Sequence, residues 1–296
     1  MEATYQQRLD GESALWGEVA AQQAAECPPE WRYHRQQRQN AIMHTANIDQ
    51  LLGTIQPGMT TLELGCNAGW LTLAMAQQGA DALGLDISAP AIDIARGYYE
   101  AIRERVPGTA RYEVTDLNTL QLEPETYDVI AAKGVLHHLP DLDHVITQVY
   151  AALKPGGLLW VSDTNGDEAT TTALVAGALT LVLPTQVPYR DKLAGLMRFR
   201  GQAASRVKAS IQADGLSPFE GAGREHNWLS MIEQCFTIEQ RLEHPAVTGY
   251  VTAQLTLPDW IALPFLRVLY TVDCALVGRG LLHNTGVVLW ARKPAA

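Results

Sequence analysis

Apolar positions recur along the chain with two alternating periods. TTLEL (60–64), ADALGLD (80–86), ARYEVTD (110–116), YDVIAAK (127–133) and GLLWVSD (157–163) read as strands, and the centre of YDVIAAK is continuously apolar, as in a strand covered on both faces. Helical patterns separate them. Trp70 to Gln78 follows the first strand, and Pro90 opens a helix whose apolar positions Ile94, Tyr98 and Ile102 recur every four residues. In DLDHVITQVYAALKPGG the residues Leu142, Val145, Ile146, Val149 and Leu153 form one stripe, with Gly156 expected to stop the helix. A polar, helical segment rich in Gln, Glu and Arg precedes all of this. Strands alternating with helices imply right-handed crossovers and a parallel sheet covered on both faces, a fold that binds ligands beyond the carboxyl ends of its strands.

Three features fall at such ends: the turn GCNAG (65–69), Asp86 and Asp116. Gly65 and Gly69 would let the backbone approach a cofactor, and a helix beginning near Gly69 would offer free amides. Asp86 lies about twenty residues beyond the turn, where a carboxylate can accept both hydrogen bonds of a ribose diol. Asp116 could serve an exocyclic amino group in the same way. A dinucleotide-binding oxidoreductase fits less well, because G-x-G-x-x-G would need glycine where Trp70 stands. Cys66 reads as a small buried filler beside the turn.

Composition narrows the partners. The 296 residues are 47% hydrophobic, ample for a core, and 22 Lys and Arg against 32 Asp and Glu give a formal net charge of −10. That field repels phosphate backbones and anionic lipid surfaces, so no nucleic-acid partner is expected. Cys27, Cys66, Cys235 and Cys274 have no close pair, which fits neither a zinc cluster nor a disulfide framework; no metal site is expected. The opening MEATYQQRLDGESALWG lacks a secretory pattern, and the expected location is cytoplasmic.

These residues resemble the class I S-adenosylmethionine-dependent methyltransferases, and more narrowly the small-molecule branch typified by the ubiquinone and menaquinone biosynthesis methyltransferases. LELGCNAGW is similar to the family's glycine motif, LGLDIS to its acidic loop and YEVTDLNTL to the stretch whose Asp lies by the adenine. YDVIAAKGVLHHLPD and LKPGGLLWVSD are similar to the later motifs. The resemblance covers about residues 58 to 165. Asn67 stands where the family commonly has its middle glycine, and Asn tolerates the left-handed conformation. The resemblance implies a Rossmann-like seven-stranded α/β sheet with an antiparallel seventh strand. CFTIEQRLEH (235–244) and TGVVLWARK (285–293) would be the last two strands. The implied organisation is an N-terminal helical flap (1–57), a cofactor-binding core (58–165), a helical lid insertion (166–234) and the last two strands with their crossover helix (235–296). S-adenosylmethionine is the implied cofactor, held by Glu63, Gly65, Asn67, Gly69, Asp86, Ile87, Asp116, Leu117 and Lys133, the last through its backbone. The expected reaction is transfer of a methyl group to an O, N or C atom of a small acceptor.

His137 and His138 follow the fourth strand, where an acceptor should meet the methyl group. Either they remove an acceptor proton, or they pack and cap while alignment alone drives transfer. In PPEWRYHRQQRQN (28–40), Trp31, Tyr33 and Arg38 could reach substrate or the methionine carboxylate, or form a solvated helix surface. From 188 to 208 six basic residues, Arg190, Lys192, Arg198, Arg200, Arg206 and Lys208, face the single acid Asp191. Arg198 and Arg200 would then help hold an anionic, partly apolar acceptor; a solvated face or a patch against a second subunit is the alternative. The apolar segments 171–183 and 259–282 read as a cover and a packed crossover helix rather than membrane spans, and would serve a homodimer equally well. A cofactor-binding scaffold without turnover, acting through those helices, is the competing reading.

Overall fold

The computed structural model describes residues 4–164, 170–198, 218–219 and 227–295. Seven strands form one sheet: β1 Thr60–Leu64, β2 Asp81–Asp86, β3 Thr109–Val114, β4 Tyr127–Lys133, β5 Leu153–Asp163, β6 Thr237–Glu243 and β7 Val287–Arg292. Their order is β3-β2-β1-β4-β5-β7-β6. β1 to β5 pair in parallel, whereas β7 runs antiparallel between β5 and β6. The chain reverses its winding between β1 and β4, and the crevice above that switch point is where such sheets take ligands.

Several helices start on a side-chain cap that the sequence supplies. Thr4 and Gln7 form a reciprocal capping box for α1 (Tyr5–Glu26), Ser88 caps α5 (Ala89–Ile102) with Pro90 in its first turn, and Asp141 caps α6 (Leu142–Ala152). Helices α2 (Trp31–His34), α3 (Thr45–Thr54) and α4 (Trp70–Gln77) complete the first half, followed after β5 by α7 (Thr170–Val182) and α8 (Tyr189–Arg198). The sheet carries a core on each face. One packs α6 and the helix Trp228–Cys235 through Leu142, Val145, Ile146 and Ile232; the other packs α3, α4 and α5 through Leu51, Leu71, Met75 and Ile92. Fully burying each such side chain stabilises the fold by about 1.5–3 kcal/mol.

Two expectations need correction. Gly156 does not stop α6: the helix ends at Ala152, and KPGG belongs to the irregular first part of β5, where the register with β4 shifts between Tyr127 and Val129. The crossover helix Asp259–Val277 is less packed than expected. It is apolar and long enough to cross a membrane, only 22% of its apolar window is buried, and Trp260, Val268 and Val272 are exposed.

Candidate functional site

The β1–α4 turn needs three left-handed residues: Gly65 (φ 70°), Asn67 (φ 46°) and Gly69 (φ 78°). A Cβ on Gly65 would stand 2.6 Å from Val135 Cγ2, and one on Gly69 would stand 2.3 Å from the Tyr112 ring. Protein atoms therefore lie against both glycines, so the reading that they clear space for a cofactor is incomplete. Gly65 is pressed by the loop after β4 and Gly69 by β3. Asn67 carries the middle of the turn in the left-handed conformation, its side-chain oxygen accepting from the Ala68 amide.

Asp86, at the end of β2, is 7% exposed, with Oδ2 accepting from the Asn67 amide and Oδ1 from the Ser88 amide, both at 2.8 Å. Burial raises its pKa; these amides oppose the rise and nearby Glu12 adds to it, leaving the carboxyl above its ordinary value. Asp116 Oδ1 caps the turn Leu117–Thr119 through the Asn118 amide, while Oδ2 accepts from the Tyr5 hydroxyl at 2.8 Å. Burial and Asp116 push Tyr5 up to about 12, so it stays a donor.

Helix α1 closes one side of this crevice. Ser88 Oγ donates to Ser13 O at 2.7 Å, Asn67 Nδ2 donates to Trp16 O at 3.4 Å, and a Cβ on Gly17 would lie 3.0 Å from Pro90. Under it lies a cavity of about 190 Å³. Its lining brings together Glu63, Gly65, Asn67, Asp86, Ile87 and Asp116, with Leu117, Lys133 and His138. Glu63 is held by Thr72, whose amide donates at 2.7 Å and hydroxyl at 2.5 Å. Burial, aided by Asp86, pushes the Glu63 carboxyl up to about 8 against the opposing Thr72 bonds and Lys133 charge.

The histidines divide. His138 lines the cavity, its Nδ1 3.5 Å from Glu12 Oε1 and its ring edge-on to Trp16. His137 does not line it: Nδ1 lies 2.5 Å from Asp163 Oδ1, and the ring packs against His138 with centroids 3.9 Å apart. Asp163 also accepts from the amides of Val135, Leu136 and Thr164. Burial pushes its carboxyl up, yet His137 and these amides outweigh that and hold it below the ordinary value.

Other expected residues lie elsewhere. Trp31 is buried, stacks on Trp70 and donates Nε1 to Asp49; it does not line the cavity. Tyr33 lies at the surface beneath the Arg32 guanidinium, and Arg38 is tied to Asp259 and the carbonyls of Leu255 and Leu257. Lys192 is not a free cation, because Nζ caps the end of α7 through Thr180 O and Leu183 O. Arg200, Arg206 and Lys208 fall outside the described residues, as does the Arg198 side chain. The sequence reading missed Tyr5, Glu12, Trp16 and Asp163. Asp163 sat in a stretch singled out for its strand; the others carry no local signal.

A doubly wound sheet with an antiparallel seventh strand, and paired carboxylates at the ends of β2 and β3 beside a left-handed turn, defines a class I S-adenosylmethionine-dependent methyltransferase. Residues 33–202 match the family described as "Methyltransferase domain", and the chain belongs to it. A ubiquinone biosynthesis O-methyltransferase of Bordetella avium is 28% identical over 190 residues, covering 62% of this chain and 73% of that one. Another, from Coxiella burnetii, is 31% identical over 121 residues, covering 41% of this chain and half of that one. A candidate methyltransferase structure from Bacillus halodurans C-125 shares the fold, with a TM-score of 0.50, 14% identity and coverage of 85% of this chain and 99% of that one.

Proposed function

We propose that the chain transfers the methyl group of S-adenosylmethionine to an oxygen atom of a small-molecule acceptor. The observation that carries the cofactor assignment is the crevice itself: two carboxylates, Asp86 and Asp116, at neighbouring strand ends, each still open to the cavity after its backbone contacts. The residues fit the group. Asp86 takes the ribose hydroxyls, Asp116 the adenine amino group, Ile87 and Leu117 the faces of the ring, and the turn 65–69 with Glu63 and Lys133 the methionine part. When bound, the sulfonium supplies an activated methyl group. His138, backed by Glu12, holds the acceptor hydroxyl's proton at Nε2. His137 and Asp163 position the loop that carries it. Oxygen as the accepting atom rests on the O-methyltransferases to which the chain is similar. The described cysteines are free thiols, which supports a reducing, cytoplasmic setting.

The test is incubation with methyl-labelled S-adenosylmethionine and a panel of catechols and phenols, followed by mass spectrometry. Label on an acceptor oxygen, with release of S-adenosylhomocysteine, is expected. Tight binding of label without transfer across the panel and a cell metabolite extract would favour the scaffold instead.

A further inference from the structure

Lys133 ends β4 and is the one lysine or arginine among the described residues lining the cavity. Among the described residues its Nζ makes no hydrogen bond and no ion pair; it stands 6.0 Å from the centroid of the Trp70 ring. The acids around it are committed elsewhere. Glu63 is held by Thr72, and Asp163 by His137 and three amides. Three imidazoles lie within reach of its charge, those of His34, His44 and His244, and burial first, then Lys133, drives each toward the neutral form. None can serve as its counter-ion. His244 Nε2 is itself buried without a hydrogen bond.

A cation enclosed among satisfied acids and neutral rings is costly unless an anion joins it. Burial lowers the lysine's own pKa, and the charges of Glu63 and Asp163 pull it back. We propose that the Lys133 ammonium is the anion-holding point of the site, receiving a carboxylate oxygen of a bound ligand. This rests on the methyltransferase reading above and assigns the role to the side chain, beyond the backbone contact expected from the sequence. Two sources offer that chemistry: the methionine carboxylate of the cofactor, and an acidic group on the acceptor.

The experiment compares the full chain with Lys133→Met, which keeps side-chain length and removes the charge. Calorimetry first measures S-adenosylhomocysteine and its decarboxylated analogue. If the methionine carboxylate is the partner, wild type prefers S-adenosylhomocysteine by at least about tenfold, and Lys133→Met abolishes that preference. Protein saturated with S-adenosylhomocysteine is then titrated with 3,4-dihydroxybenzoate and with catechol. If the acceptor is the source, Lys133→Met weakens the benzoate by a similar factor and leaves catechol unchanged. The variant should also melt at a higher temperature than wild type without ligand, since an unpaired enclosed charge is gone. Ligand affinities that do not depend on residue 133 in either arm, or a variant that melts lower, overturn the proposal. Absence of any S-adenosylhomocysteine binding by wild type would instead overturn the cofactor assignment.

Discussion

Asp163 is the side chain on which the loop carrying His137 and His138 depends, and replacing it should be costly. It is 2% exposed, and its two oxygens accept from Val135 N (3.0 Å), Leu136 N (2.7 Å), Thr164 N (2.6 Å) and His137 Nδ1 (2.5 Å). Bonds to a charged acceptor contribute about 1.5–3 kcal/mol each. Four bonds to one carboxylate are not independent, so their sum overstates the loss. Removing one partner of a buried pair costs about 3–5 kcal/mol, and that is the destabilisation expected for Asp163→Ala. Asp163→Asn keeps the shape and loses the charge, and should cost about half as much. The effect reaches the cofactor crevice, because Val135, released with the loop, is the residue that packs on Gly65.

Urea unfolding across a pH series checks both size and origin. The Asp163 carboxyl is depressed in the folded state, so its stabilisation is full above the unfolded value near 3.9 and is lost as pH falls through the folded value. The gap between wild type and Asp163→Asn should therefore hold at neutral pH and shrink on acidification below about pH 4. An Asp163→Ala variant within about 0.5 kcal/mol of wild type, the scatter of neutral surface changes, would refute the reasoning. So would a gap that ignores pH.

Three further outcomes are expected. Glu63, raised from 4.5 to about 8, keeps a proton that the unfolded chain releases, so this group makes stability fall as pH rises from about 4.5 to about 8; Glu63→Gln should flatten that slope in urea midpoints. Gly69→Ala forces a Cβ to 2.3 Å from the Tyr112 ring at φ 78° and should lower stability by about 2–5 kcal/mol, measured by denaturant titration. His138→Gln should reduce turnover by about 10² to 10⁴ with the cofactor dissociation constant nearly unmoved, whereas His137→Ala should act mainly on the unfolding midpoint.

What the sequence made legible was local. Apolar period located the five parallel strands and the family resemblance the last two, and the turn at 65–69 with Asp86 and Asp116 could be read as one crevice because each lies at a strand's carboxyl end. The contacts that close the crevice are long-range. Tyr5 reaches Asp116 across 111 residues and Ser13 meets Ser88 across 75, and only Glu12, Gly17 and Ala20 of α1 are buried, too sparse a stripe to mark a packed face. Asp163 escaped notice because a carboxylate ending a strand looks the same whether it faces solvent or holds three amides. Arg38 was ambiguous for the same reason. Its position in a basic flap left it either a ligand contact or a solvated surface, and its partners are carbonyls more than 200 residues away.

On the function proposed above, Asp86 holds the ribose of S-adenosylmethionine in the crevice under α1. Titration calorimetry of the cofactor into wild type and folded Asp86→Ala tests it most directly. Saturable one-site binding is expected, weakened by the substitution by about 1.5–3 kcal/mol, the range for a charge-assisted hydrogen bond, with NADH failing to displace the cofactor from wild type. Equal affinity in the two proteins, or displacement by micromolar NADH, would contradict it.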